Sequence, residues 1–307
     1  MVSFTKVFVA ALFTPASCRA LLRAQIRGLE ISSVGPGGNF SDPNYPLDIN
    51  ISAGPQSGAP SLELAAARRA LKKLKDLLGQ DGLKQLLADD IAAGNKAWHD
   101  IVDAAQDDDT NLDPGTRTLA EVQFSAVPSD CNEDKPANFT AVNFLGWFAD
   151  SAFHHADKLW KGHPEHYGIA ISANSDGTMA ANVTEPWGSI LTDSYVPSLM
   201  PVTGQPGGGE RKPWMKKRED FPYQSVGEET LQDGGVVFGH LHYAFRDIPF
   251  DGNSSKTCGI EMALNIWMPS HTPDDVRDGI SDHLMVEYYN WAGWAFQDIK
   301  LGAYVPA

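Results

Sequence analysis

The chain has 307 residues, 42% of them hydrophobic and 8 of them Trp, enough apolar side chain for one large core or two small ones. A formal net charge of −15 excludes a phosphate-tracking surface for nucleic acid and disfavours anionic membranes as partners. A neutral or weakly acidic small molecule is compatible with that charge.

Residues 1–20 read as a secretory signal. Lys6 precedes the apolar run Val7-Phe8-Val9-Ala10-Ala11-Leu12-Phe13, and Thr14 to Ala20 supply small residues suited to cleavage. The run is too short to span a bilayer, and no other segment approaches the ~20 apolar residues a span requires. Sequons at Asn39, Asn50, Asn138, Asn182 and Asn253 predict N-glycosylation. If the signal is removed at or beyond Cys18, Cys131 and Cys258 remain, one disulfide's worth, and their pairing would close a long loop. The expected address is the secretory pathway or the cell exterior.

Residues 21–116 read as an extended and helical N-terminal region. The Gly/Pro/Ser/Asn-rich stretch 32–60 has the composition of a loop. Leu62, Leu64, Ala65, Leu71, Leu74, Leu77 and Leu78 then recur at helical spacing up to a break at Gly79. A second helical segment runs from Asp81 to Ala93, and Gly94 precedes a third containing Trp98, Ile101 and Val102. Asp107-Asp108-Asp109 and Pro114-Gly115 end the region.

From residue 117 the pattern changes to β-prone segments, opening a domain over 117–307. Leu119, Val122, Phe124 and Val127 begin it, and Phe139 to Phe148 is aromatic and β-prone. Ile169 to Ser172 leads through Asn174-Ser175-Asp176-Gly177 into Met179 to Val183, the pattern of a hairpin. A Pro/Gly loop over 197–227 carries Gly207-Gly208-Gly209 and Lys216-Lys217-Arg218; lacking a strand–loop–helix context for phosphate, it reads as a mobile loop or lid. Strands over 236–245 and 260–268 follow, the first placing His240 and His242 on one face. A long helix closes the chain, with Thr272 as N-cap, Pro273 at the first helical position and Asp274 and Asp275 in the first turn. Strands followed by a long C-terminal helix imply an antiparallel α+β fold, the helix lying across a curved sheet.

His283 and Glu287, four residues apart, share one face of that helix. Leu284, Met285, Val286, Tyr288, Tyr289, Trp291, Trp294 and Phe296 make the helix apolar nearly all round, so the polar pair must be satisfied in the interior. Candidate partners stand in Gly162-His163-Pro164-Glu165-His166 and Val183-Thr184-Glu185-Pro186-Trp187-Gly188. Two imidazoles and two carboxylates form a borderline-hard donor set that suits Zn²⁺ with an open position for water or substrate. Trp147, Trp187, Trp267, Tyr288 and Trp291 are available to line an aromatic cavity or to fill the core. No Gly-x-Ser-x-Gly elbow and no nucleotide fingerprint occurs, so neither a serine nucleophile nor a nucleotide cofactor is predicted.

The Gly162 to His166 segment, the downstream Glu185-Pro186-Trp187-Gly188 and the helical His283-x-x-x-Glu287 together resemble the zinc-dependent 2,4-diacetylphloroglucinol hydrolase family, which includes phloretin hydrolase. The resemblance covers residues 145 to 296. It implies a START-like helix-grip fold, a curved antiparallel sheet wrapped on a long C-terminal helix, with an N-terminal helical extension. It implies a zinc site of His166, Glu185, His283 and Glu287, and a hydrolase that cleaves the bond between an aromatic ring and an acyl group. The segment from His242 through Arg246-Asp247 matches the family's penultimate hairpin, which makes His242 the candidate acid beside Glu287. Two departures stand out: Lys161-Gly162 separates Trp160 from His163, and Asp157-Lys158 replaces an Arg-Tyr pair. A pocket of this kind also suits a metal-independent hetero-Diels–Alderase joining a tropolone or phenol quinone methide to a polyene, or a non-catalytic binder of small hydrophobic ligands.

Overall fold

A computed structural model describes residues 24–26, 29–31, 39–42, 45–53, 62–105, 117–128, 131, 138–201, 211–216, 218–250 and 253–304. The signal expected over 1–20 and the Gly207–Gly209 run lie outside the described residues, as do the side chains at the sequons Asn39, Asn50 and Asn253.

The elements run β1 (Ala24–Ile26), β2 (Leu29–Ile31), β3 (Asn39–Asp42), β4 (Tyr45–Ala53), α1 (Leu62–Leu86), α2 (Ala88–Ala105), β5 (Thr118–Pro128), α3 (Ala141–His154), α4 (Ala156–Gly162), β6 (Gly168–Ala173), β7 (Thr178–Trp187), β8 (Ile190–Pro201), β9 (Tyr223–Leu231), β10 (Val237–Phe250), β11 (Asn253–Met268) and α5 (Asp274–Lys300). One antiparallel sheet has the order β3-β4-β5-β11-β10-β9-β8-β7-β6. Its seven strands β5 to β11 close around α5, with α3 and α4 inserted between the first strand and the second. That arrangement is the helix-grip fold.

The sheet follows from period-two patterning. Along β5, Ala120, Val122, Phe124 and Ala126 are buried while Glu121, Gln123 and Ser125 are only half-buried. The buried rows of β5, β10 and β11 meet Val276, Ile280, Leu284, Tyr288 and Ala292 of α5 in one core. The predicted β6–β7 hairpin forms, and Gly177 takes φ 82° in its turn, where a β-carbon would be strained.

Four features differ from the sequence expectation. Phe139 to Phe148 contributes to a helix: Thr140 Oγ1 accepts from the Asn143 amide at 3.1 Å, and Asp247 Oδ1 accepts from the Ala141 amide at 2.7 Å. Capping and burial of Phe144, Trp147 and Phe148 outweigh their β propensity. Residues 39–53, inside the expected loop, add two strands to the free edge of β5. Tyr45, Leu47, Ile49 and Ile51 alternate, a signal hidden among turn formers. At α5 the extended backbone of Pro273 (φ −59°, ψ 149°) occupies the N-cap in place of Thr272. The chain kinks at Gly79 as expected but stays helical through Gly94, whose lack of a β-carbon lets α2 press against the Leu191 carbonyl. Cys131 and Cys258 are joined by a disulfide that closes a separation of 127 residues.

Candidate metal centre and cavity

The structure groups His166, His283 and Glu287 as possible donors to one ion, and Glu185 touches both imidazoles. His166 follows α4, and its Nδ1 donates to the Leu159 carbonyl at 3.1 Å. A carbonyl only accepts, so Nδ1 carries the proton and Nε2 faces the centre, the orientation that outer partners impose on metal-binding histidines. Glu185 projects from β7 directly opposite Thr192 of β8, and Trp187 Nε1–H donates to its Oε1 at 3.1 Å. His283 and Glu287 stand one turn apart on the buried face of α5. His163 is not a fifth donor to the centre. Its ring stacks on His283 at 3.8 Å and its Nδ1 accepts the Glu165 amide at 3.1 Å, so it steadies the second imidazole.

The separations are informative. His166 Nε2 lies 3.0 Å from His283 Nε2, 3.2 Å from Glu185 Oε2 and 3.3 Å from Glu287 Oε1, while His283 Nε2 lies 3.1 Å from Glu185 Oε2. A tetrahedral ion with bonds of about 2.0–2.1 Å has ligand–ligand edges of about 3.3–3.4 Å. Burial works against charging His166, yet the hydrogen bonds and charges of Glu185 and Glu287 raise it to about 9. Burial likewise opposes ionisation of Glu185, but His283 and His166 hold it well below the usual carboxylate range. Burial raises Glu287. In the absence of a cation, then, the cluster is a closed ion network centred on His166.

The centre lies in the wall of an apolar cavity that is partly open to solvent, with Glu185 and Glu287 among its lining. Leu159, Ile169, Val183, Leu241, Leu284 and Trp291 supply much of its lining. Glu229 of β9 also faces it, 5% exposed and with Oε2 unpartnered. Burial, and then the charges of Glu185 and Glu287, push Glu229 well above the ordinary carboxylate value, so it is held as the neutral acid. Gly239 sits opposite Glu229; a β-carbon there would fall 3.2 Å from Oε2. Tyr243 and Tyr288 line the same space, burial keeping both phenols protonated.

His242 does not reach this cavity. Leu241 and Tyr243 line it, so the residue between them projects through the other face of the sheet. There His242 Nε2 donates to Gln224 Oε1 at 2.7 Å, its ring stacks on Trp267 at 6.2 Å, and burial, then Arg218 and Arg211, lower it to about 4. The 211–221 segment packs over that outer face through Trp214, Met215 and Arg218, so this part of the expected lid does not cover the cavity. The same alternation places Ala181 and Val183 in the cavity and half-buried Asn182 on the outer face, while Asn138 is exposed. Sequence patterning missed Glu229 because its strand fell partly within the loop read over 197–227.

No protein-family model and no curated protein matches the chain. Among solved structures, Ara h 8.0201 is similar at 10% identity with a TM-score of 0.33, covering 59% of this chain and 99% of its own. The ZhuI aromatase/cyclase from Streptomyces sp. R1128 shows 9% identity and a TM-score of 0.35 over 61% of this chain and 99% of its own. The di-domain ARO/CYC StfQ from the steffimycin biosynthetic pathway shows 10% identity and a TM-score of 0.33 over 83% and 71%. The fold assignment stands on strand order and the position of α5. Among the described residues no helix is long and apolar enough to cross a membrane.

Proposed function

We propose that this protein is a zinc-dependent hydrolase that cleaves the carbon–carbon bond between an electron-rich phenolic ring and its acyl group. The observation that carries the proposal is the grouping of His166, His283 and Glu287 at the wall of an apolar cavity, with Glu185 3.1–3.2 Å from both imidazoles. Zn²⁺ held there would polarise the acyl carbonyl and activate water at neutral pH. The chain's own residues do the rest. Apolar walls bind the ring and exclude bulk water. The Tyr243 and Tyr288 hydroxyls, kept protonated by burial, are donors for phenolic oxygens. Glu229 carries a proton in the same space and delivers it to the ring carbon as the electron pair of the breaking bond moves there. The Glu229 carboxylate recovers that proton from the water consumed. Acyl-arene plus water thus gives arene plus carboxylic acid, with no redox change.

Incubation of zinc-loaded protein with 2,4-diacetylphloroglucinol and with phloretin, read by liquid chromatography and mass spectrometry, is the direct test. The expected result is a deacylated phenol and a free acid, formed at a rate that falls on chelation and returns with zinc. Purified protein without stoichiometric zinc, or turnover unchanged in chelator, overturns the proposal. A second reading has its own support: Glu229, Tyr243 and Tyr288 are three neutral donors around one apolar space, suited to polarising a quinone methide for hetero-Diels–Alder addition. Chelator-insensitive cycloaddition of a tropolone quinone methide to a polyene would favour it.

A further inference from the structure

The N-terminal helices α1 and α2 are additions to the helix-grip elements, yet each contacts the surroundings of a different residue of the candidate centre. Lys75 of α1 is 6% exposed. Its Nζ donates to the carbonyls of Trp160, His163 and Pro164 at 3.0, 3.2 and 3.2 Å and lies 4.8 Å over the Trp160 ring. The His163 carbonyl also accepts the His166 amide at 3.3 Å, so one oxygen links the lysine to the backbone of the first donor. Five residues along α1, Gln80 Oε1 accepts the Ile169 amide at 2.7 Å, fixing the chain just past His166.

The second helix reaches the second donor. Trp98 of α2 is fully buried, and its Nε1–H donates to Thr192 Oγ1 at 2.9 Å. Thr192 is the cross-strand partner of Glu185. The Trp98 ring meets Trp187 edge-on at 5.6 Å, and Trp187 is the residue whose Nε1–H holds Glu185 Oε1. Gly94 permits this approach, since a β-carbon there would fall 1.8 Å from the Leu191 carbonyl oxygen. His283 and Glu287 need no such help, because α5 itself fixes their spacing.

We propose that the α1–α2 helical segment is a brace for the candidate metal centre, in which Lys75 positions His166 and Trp98 positions Glu185. The inference rests on the zinc reading for its ligand, but its structural half is measurable without metal. Burying a lysine against three carbonyls is a costly device for stability alone. Here it immobilises the segment that ends two residues before His166. Outer partners of metal ligands are worth about 10–100-fold in affinity.

The test uses the full chain with Lys75→Met, Lys75→Arg and Trp98→Phe, and Lys96→Met on the exposed face of α2 as a control. Zinc affinity is measured by competition with a chromophoric chelator, and hydrogen exchange is measured on metal-free protein. Lys75→Met is expected to weaken zinc about 10-fold or more and to speed exchange over 159–167 selectively. Lys75→Arg should restore part of both effects, Trp98→Phe should weaken zinc with faster exchange over 185–192, and Lys96→Met should change neither. If Lys75→Met fails to fold, Trp98→Phe, which keeps the buried ring, decides. Folded variants with wild-type zinc affinity overturn the brace. Absence of zinc from the wild type overturns the site reading instead, and unchanged exchange over 159–167 and 185–192 then overturns the brace by itself.

Discussion

At the scale of single residues, the buried acids Glu287 and Glu229 are assigned different duties, and substitution separates them. Glu287 is a donor to the centre, so Glu287→Gln removes a ligand charge while keeping shape; zinc affinity and turnover should fall together, by at least about 100-fold in turnover. Glu229 stands outside the cluster, and its Oε2 has no hydrogen-bond partner. Glu229→Gln should therefore leave stoichiometric zinc while lowering turnover about 10²–10⁴-fold, the usual contribution of a positioned acid. Metal analysis beside rate measurement on both variants separates the roles. The histidines set an expected pH profile for the metal-free protein. His166 is raised to about 9 from an unfolded value near ~6.5, so its contribution is complete below ~6.5 and is lost as pH climbs towards 9. His242 is lowered to about 4, so its contribution is complete above ~6.5 and is lost as pH falls towards 4. Thermal unfolding followed by circular dichroism across this range reads both flanks, together with the loss that Glu229, neutral in the fold, adds as pH rises above the ordinary carboxylate value. His242→Gln should flatten the acid side, and saturating zinc should abolish the His166 part of the alkaline decline, since the metal requires His166 deprotonated.

At the scale of elements, two of the four donors were legible as a pair because helical spacing is a local property. His283 and Glu287 needed only the four-residue rule and the apolar surroundings of α5. Pairing them with His166 and Glu185 drew on a family resemblance, since no local rule spans more than a hundred residues. His242 went astray for an equally physical reason. Alternation fixes that His240 and His242 share a face, but which face meets the helix depends on the whole sheet, and Leu241 and Tyr243 take the inner side. The helix over 141–154 was obscured because its aromatic residues score as strand until burial and the Thr140 cap are counted. A glycine crossing gives the sharpest test at this scale. Gly279 of α5 passes the β7–β8 turn so closely that a β-carbon would lie 2.3 Å from Gly188 Cα. Gly279→Ala should displace the first turns of α5, cost about 1–3 kcal/mol in chemical denaturation, and weaken zinc because His283 is one turn further on. Wild-type zinc affinity in the destabilised variant would show that the donor turn is anchored independently of the crossing.

At the scale of the whole molecule, the cysteine count anticipated the disulfide, and the sheet separates that bond from the candidate centre. The disulfide ties the segment after β5 to β11, while the donors lie on β7, α5 and the loop before β6, with β10, β9 and β8 in between. We propose that the chain folds in an oxidising compartment, where the Cys131–Cys258 bond would form and persist. Expressed through that route, the protein should lose mass on enzymatic removal of N-glycans, with exposed Asn138 among the modified positions. Cross-linking residues 127 apart constrains the unfolded chain by about 4–5 kcal/mol in the loop-entropy estimate. Replacing both Cys131 and Cys258 by Ser should therefore lower the free energy of unfolding by several kcal/mol. Zinc affinity should be nearly unchanged, because no donor or brace touches that edge of the sheet. Denaturant titration paired with chelator competition reads both quantities. A large loss of affinity in folded double variant would mean that the two edges of the sheet are mechanically coupled through α5, which packs on β5 and β7 alike.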